Sequence, residues 1–142
     1  HTAVQDKHVR YRACQLSAEI LERLTDDISE EIWESLKSAL LGRMRDKAVP
    51  VRMQAARALA RLQEAGEDGE QDEGDIVGEA YLQALEVERT KDVRKAVLGS
   101  MVVSDSTLAP LVDRTRDVHP EVRRVAFIVL AAKAEITHLT IA

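Results

Sequence analysis

The histidine and cysteine residues are the first candidates for catalytic or metal-binding chemistry. The four histidines are His1, His8, His119 and His138. No two of them form an H-x-x-E-H or H-E-x-x-H pair, and Cys14 has no second cysteine, so the spacing that a metal site requires is missing. We expect His119 to be a solvated turn residue and Cys14 to lie in the core rather than act as a nucleophile. The sequence therefore predicts no cofactor and no enzyme.

The basic residues point to a different chemistry, contact with a polyanion. From Arg43 to Arg61 there are six bases against a single acid, a local net charge of +5. On a helix with about 100° per residue, Lys95 and Arg124 point away from the apolar positions beside them and are free to meet a partner. The residues predicted to contact a phosphate backbone are Lys95, Arg123 and Arg124, followed by Arg52, Arg57 and Arg61.

One segment carries most of the acidity of the chain. Residues 64–75 read EAGEDGEQDEGD, with seven acids, three glycines and no base. The whole chain has a formal net charge of −5, but removing this segment leaves 18 acids against 20 bases. Like charges and little apolar surface predict a disordered insertion between helices, and acids so close to these glycines would repel phosphate.

The elements that must position these residues are helices. Only 3% of the residues are aromatic, and apolar residues recur at steps of three and four, so we predict an all-α fold. No apolar run approaches the roughly 20 residues of a membrane helix, so no membrane partner is predicted. The predicted helices span residues 7–24, 30–45, 50–63, 76–89, 91–103, 107–116 and 120–133. The apolar stripes of the first three are Val9, Ala13, Leu16, Ile20 and Leu24, then Ile32, Leu36, Leu40 and Met44, then Val51, Ala55, Leu59 and Leu62.

A repeat unites these helices, because a Val-Arg pair opens every second one. The pairs are Val9-Arg10, Val51-Arg52, Val93-Arg94 and Val122-Arg123, and the aspartates before them are Asp6, Asp46, Asp92 and Asp117. The arginines are 42, 42 and 29 residues apart, which fits helix pairs of HEAT type stacked into a solenoid of about 3.5 to 4 repeats over residues 1–142. We expect each aspartate to accept backbone N–H groups in the turn and to attract an arginine of its own or an adjacent repeat. The predicted structural ladder is Asp6, Arg10, Asp46, Arg52, Asp92, Arg94, Asp117 and Arg123. Arg123 can serve both the ladder and phosphate.

The same motifs resemble a known family, the G-type HEAT-repeat subunit of condensin. The resemblance rests on four runs: Asp6 to Leu16, Arg45 to Leu59, Val93 to Leu98 and Arg116 to Arg124. It covers nearly the whole chain and implies an internal segment, cut at both ends, of a HEAT-repeat α-α superhelix.

The resemblance implies a non-catalytic role in mitotic chromosome condensation. Members of this family hold the kleisin subunit and, with it, grip double-stranded DNA by its backbone in the complex of the SMC ATPase subunits. The implied location is the nucleus and the chromosomes, with a cytoplasmic pool, and no small-molecule substrate is implied.

Two other functions remain open on the residues alone. A HEAT scaffold such as a transport or phosphatase adaptor would use the same bases to meet acidic peptides and would have no role on DNA. A HEAT-type DNA glycosylase or lyase would need a cleft aspartate between aromatic walls, and the chain has only four scattered aromatic residues.

Overall fold

The computed structural model describes residues 5–24, 28–63 and 75–141, with side chains as far as residue 134. Within these ranges all regular secondary structure is helical, so the predicted fold class is confirmed. The helices are α1 (Lys7–Arg23), α2 (Glu30–Arg43), α3 (Val49–Leu59), α4 (Ile76–Val87), α5 (Lys91–Ser100), α6 (Asp105–Arg114) and α7 (Pro120–Ile141), and a 3₁₀ turn (Ala60–Leu62) extends α3. The predicted insertion at 64–75 lies outside the described residues except for Asp75.

Short polar side chains and prolines define where the helices begin. Asp6, Ser29 and Asp75 each accept a backbone N–H in the first turn of the following helix. Pro120 is the first residue of α7, where a missing N–H leaves no hydrogen bond unmade. The helix α7 continues past its predicted end at residue 133, because no glycine or proline interrupts residues 134–141.

The helices form two layers. The helices α1, α3, α5 and α7 pack side by side, and α2, α4 and α6 each form a hairpin with the helix that follows them. We call α3, α5 and α7 the second helices of their hairpins, and α1 lies in the same layer. This is the arrangement of stacked helix pairs that the repeat predicts.

The core lies between the two layers. Val51, Ala55, Leu59 and Leu62 are fully buried, as predicted for the third helix. Apolar residues of α4, α5 and α7 are buried as well, namely Val77, Tyr81, Leu85, Val93, Val97, Val122 and Ala126, and Val129 is half-buried. The Tyr81 hydroxyl donates a hydrogen bond to the Ala56 carbonyl, so the one polar atom of this buried ring is satisfied.

The apolar stripe predicted for α1 is not part of the core. Its members, Val9, Ala13, Leu16, Ile20 and Leu24, are all exposed, and the buried face carries Arg10, Cys14 and Leu21 instead. The Val-Arg pairs of α1 and α3 are equivalent repeat positions, so Val9 and Ala13 in α1 correspond to Val51 and Ala55 in α3. Those positions are covered in α3, which has α1, α2 and α5 packed against it, whereas α1 packs chiefly on α3.

The predicted stripe of α2 is partly wrong. Leu40 is buried, and Leu36 and Met44 are half-buried on the same face, together with Trp33. Ile32 is 59% exposed because it lies about 80° away from Leu40 around the helix. Ile32 therefore does not belong to the buried face of α2.

Candidate nucleic-acid interface

Each turn that joins the two helices of a hairpin contains a buried or half-buried carboxylate. These are Asp46 between α2 and α3, Glu88 between α4 and α5, and Asp117 between α6 and α7. Each accepts the backbone N–H of the residue two positions later, at 2.9 Å from Ala48, 3.1 Å from Thr90 and 2.9 Å from His119. This local hydrogen bond fixes the conformation of the turn.

An arginine from the preceding helix of the layer formed by α1, α3, α5 and α7 reaches each of these carboxylates. Its Nε and Nη2 contact the two carboxylate oxygens, which is the bidentate geometry that makes such pairs strong. The pairs are Arg10 with Asp46 at 2.7 and 3.1 Å, Arg52 with Glu88 at 3.0 and 3.1 Å, and Arg94 with Asp117 at 2.9 and 2.8 Å. The structure therefore brings together five of the predicted ladder residues and adds Glu88.

The remaining nitrogen of each arginine binds its own turn. Nη1 of Arg52, Arg94 and Arg123 donates to the carbonyl six residues earlier, at 2.8, 2.9 and 2.6 Å. Nη1 of Arg10 donates to the carbonyl of Gln5 at 2.7 Å. One guanidinium thus joins its own turn to the next, and we call this series of contacts the ladder.

The ladder holds its carboxylates in the charged form. Burial by itself would raise the pKa of Asp46, but hydrogen bonds from Arg10 and from the Ala48 N–H outweigh burial and place the pKa below its usual value. The same balance lowers the pKa of Glu88, which faces Arg52, and of Asp117, which faces Arg94. These groups are structural, and their charges are already compensated.

Two aspartates assigned to the ladder lie outside it. Asp6 caps α1 by accepting the N–H of His8 at 2.7 Å. Asp92 lies in the first turn of α5, where its nearest cation is the Nζ of Lys95 at 3.5 Å. The residue that sequence reasoning missed is Glu88. An available signal was the constant offset, because Asp46, Glu88 and Asp117 each stand five residues before the valine of a Val-Arg pair.

Two predicted phosphate contacts are engaged elsewhere. Arg52 has its guanidinium in the ladder, and its side chain is only 16% exposed, so it is not free to bind DNA. Arg123 is half-buried, with Nη1 bonded to the carbonyls of Asp117 and Val118. The basic residues predicted to bind phosphate therefore include two, Arg52 and Arg123, whose guanidinium groups hold the turns in place.

Lys95 is exposed in part but has acidic neighbours. Its Nζ lies 3.5 Å from Oδ1 of Asp92 and 3.5 Å from Oε2 of Glu121. Glu121 also binds the Nζ of Lys91 at 2.9 Å, and this hydrogen bond lowers the pKa of Glu121 and raises the pKa of Lys91. A phosphate that approaches Lys95 must therefore compete with two carboxylates.

The other predicted contacts are available. Arg57, Arg61 and Arg124 are exposed, and none has an ion-pair partner within the described part of the chain. Arg57 and Lys95 line one depression of about 400 Å³ between α3, α5 and α7, with Gly99 and Val125 on its walls. Arg124 adjoins Val125 on α7. We call Arg57, Arg61, Lys95 and Arg124 the second-helix face.

The described residues provide neither a metal site nor a membrane span. No group of three or more histidine, cysteine, aspartate or glutamate side chains there has an arrangement that could hold a metal ion. None of the described helices is long and apolar enough to cross a membrane.

Comparison with known proteins identifies the relatives of this chain. No family model matches it. It is 38% identical over 136 residues to condensin complex subunit 3 of Xenopus laevis and 37% identical over 136 residues to that of Homo sapiens, covering 94% of this chain in both cases. The Schizosaccharomyces pombe protein of the same name is 37% identical over 123 residues, or 87% of this chain.

A solved structure supports the same relationship. A chain in the crystal structure of the S. pombe condensin Cnd3-Cnd2 subcomplex aligns with 93% of this chain at a TM-score of 0.80 and 33% identity, over 16% of its own length. The chain spans about 13% of the length of the Xenopus and human relatives. Over the segment that it spans, the chain is a homologue of condensin complex subunit 3.

Proposed function

We propose that this chain is part of a non-catalytic HEAT-repeat subunit of condensin, which binds the kleisin subunit and the DNA backbone during mitotic chromosome condensation. The observation that carries the DNA role is the second-helix face. Three of its cations have no acidic partner among the described residues, and they project from helices that pack side by side.

The chemistry of this face suits the phosphate backbone rather than the bases. Arginine and lysine contacts to phosphates release condensed counterions and carry no sequence information by themselves. The ladder supports the face indirectly, because buried ion pairs between turns keep α3, α5 and α7 in fixed register. The available contacts are Arg57, Arg61 and Arg124, with Lys95 as a fourth that competes with its own carboxylates.

The kleisin role rests on the similar structure, which was solved as a Cnd3-Cnd2 subcomplex. Together with the family resemblance, this supports a kleisin of the Cnd2 kind as the partner, with the SMC ATPase subunits reached through the complex. We place the protein in the nucleus and on chromosomes for the same reason.

Salt-dependent binding to duplex DNA tests the proposal. In the intact protein with its kleisin partner, Arg57→Glu, Arg61→Glu and Arg124→Glu together should weaken binding. They should also lower the slope of log affinity against log salt by about 0.9 for each lost contact. The control is Arg12→Glu with Arg23→Glu, since both residues are exposed on α1, which is not one of the helices that carry this face.

The outcomes separate the two functions that the sequence leaves open. Weaker binding and a smaller slope in the triple variant, with little change in the control, support the DNA role. Parent-like affinity and slope in a folded triple variant contradict it and favour a protein-binding scaffold without a DNA role.

A further inference from the structure

A second set of exposed cations lies along the turns of the hairpins. Arg45 and Lys47 belong to the α2–α3 turn, Arg89 to the α4–α5 turn and Arg116 to the α6–α7 turn. All four are exposed, and none contacts an acidic side chain within the described residues. We call these four residues the turn edge.

The ladder explains why this edge is positive. The side chains of Asp46, Glu88 and Asp117 are only 4%, 14% and 2% exposed, because each is folded inward onto an arginine. Every acid of the three turns is thereby neutralised. The exposed acids closest in sequence belong to the flanking helices: Glu86 and Asp113 precede the second and third turns, and Glu121, which pairs with Lys91, follows the third. The exposed charge of the turns themselves is therefore positive.

The ladder also places the turns in a row. Arg52, on the helix that follows the first turn, binds Glu88 in the second turn. Arg94, on the helix that follows the second turn, binds Asp117 in the third turn. Contacts of 3.1 Å or less require neighbouring turns to be adjacent. The cations of the turn edge thus follow one another along the stack.

A depression lies in the turn edge between the second and third turns. It has a volume of about 360 Å³, and its lining includes Arg89, Arg114 and Arg116 together with Glu86 and His119. Arg114 makes only long hydrogen bonds, at 3.3 Å to the Leu85 carbonyl and 3.4 Å to Asp117. The guanidinium groups of Arg89 and Arg116, from two turns, and of Arg114, at the end of α6, can therefore face one phosphate group there, against the single uncompensated carboxylate of Glu86.

We propose that the turn edge is a second surface for the phosphate backbone of duplex DNA, separate from the second-helix face. The inference rests on the proposed function for the identity of the polyanion. A row of cations that crosses three turns matches a polymer with regularly spaced charges better than one isolated anion. The edge would make contacts that hold DNA without reading its sequence.

The experiment compares two variants with the same change in charge, in the intact protein with its kleisin partner. The edge variant is Arg45→Glu, Arg89→Glu and Arg116→Glu, and the face variant is Arg57→Glu, Arg61→Glu and Arg124→Glu. Duplex affinity is measured across salt concentrations, and circular dichroism and thermal melting verify folding. If the edge variant fails to fold, Arg→Gln at the same three positions replaces it. We expect the edge variant to lower the salt slope by about 0.9 for each lost contact.

Each outcome decides the inference. If the edge variant loses affinity and slope while Arg12→Glu with Arg23→Glu does not, the turn edge binds DNA, whether or not the face variant also loses them. If only the face variant loses binding, the inference is overturned and the proposed DNA role stands. If neither loses binding, both fail. An equal loss in the control variant overturns the inference by showing an effect of bulk charge. Binding of an acidic peptide is measured in parallel, and an edge variant that loses the peptide but keeps its DNA affinity overturns the inference by showing that the edge binds protein instead.

Discussion

Nη2 of Arg94 lies 2.8 Å from Oδ1 of Asp117, and its Nε lies 2.9 Å from Oδ2, although 23 residues separate the two in the chain. The side chains are only 6% and 2% exposed. Nη1 of the same guanidinium donates to the carbonyl of Glu88. A single side chain therefore couples two successive turns, and the stack depends on that coupling for its register.

Removing one member of this pair should destabilise the fold strongly. Asp117→Ala leaves the Arg94 guanidinium buried without its carboxylate, which should cost about 3–5 kcal/mol in the free energy of unfolding. Urea denaturation measures the loss. Asp113→Ala makes the same chemical change at an exposed position and should stay within about 0.5 kcal/mol of the parent. Equal losses in the two variants would mean that the ladder does not stabilise the stack.

The ladder also predicts how stability depends on pH. Asp46, Glu88 and Asp117 have folded pKa values below their usual 3.8 or 4.5, so below those values the unfolded chain binds more protons than the folded chain. Their contribution to stability is complete above the usual values and is lost as the pH falls through the lowered ones. The melting temperature should therefore fall as the pH drops below about 4.5.

Asparagine variants isolate this effect. Asp46→Asn and Asp117→Asn remove two of the titrating groups and lower stability at neutral pH. They should also make the decline in acid shallower than in the parent. A decline as steep as that of the parent would assign acid sensitivity to other carboxylates.

The sequence predicts the helices well because they depend on local signals. Periodic apolar residues, the caps at Ser29 and Asp75 and the prolines that begin helices act within a few residues. The exposed stripe of α1 could not be predicted in this way. Periodicity identifies an apolar face, but whether a neighbour covers that face depends on packing between elements, as the comparison of Ala13 with Ala55 demonstrates.

The site was predictable only in part for a similar reason. Charge counts along the chain identified Arg52 and Arg57 equally as candidate phosphate contacts. In the described structure Arg52 is held in the ladder, whereas Arg57 is exposed and has no ion-pair partner. The difference comes from Glu88, which lies 36 residues after Arg52. Only the equal spacing of acids before the Val-Arg pairs carries that information in the sequence.

Two glycine substitutions should change stability in opposite directions. A Cβ on Gly78 would collide with the carboxylate of Asp75, which caps α4 through the Gly78 N–H. Gly78→Ala should therefore lower the free energy of unfolding by about 1 kcal/mol, the value of a lost cap. A Cβ on Gly42 in α2 would meet open space. Gly42→Ala should therefore raise the free energy of unfolding by about 0.5 kcal/mol. Chemical denaturation of both variants measures the difference, and a shift of the same sign would contradict the role of the cap.

Glu121 should weaken DNA binding in the parent protein. Its carboxylate lies near both Lys91 and Lys95, so it competes with phosphate for these cations. Glu121→Gln should therefore bind duplex DNA more tightly and with a larger salt slope than the parent. Glu79→Gln on α4 is the matched control, because Glu79 is exposed and has no ion-pair partner within the described residues. Equal affinities for both variants would show that Lys95 is not part of the DNA-binding surface.

Ala55 and Ala13 occupy the same register position in α3 and α1 but should respond differently to a charge. Ala55 is fully buried between packed helices, so Ala55→Glu places an unpaired carboxylate in the core and should cost about 3–5 kcal/mol. Ala13 is exposed, so Ala13→Glu should remain within about 0.5 kcal/mol of the parent. Thermal melting of both variants measures the contrast. An unchanged midpoint for Ala55→Glu would place Ala55 at the surface, and a large loss for Ala13→Glu would mean that a neighbour covers the apolar face of α1 in solution.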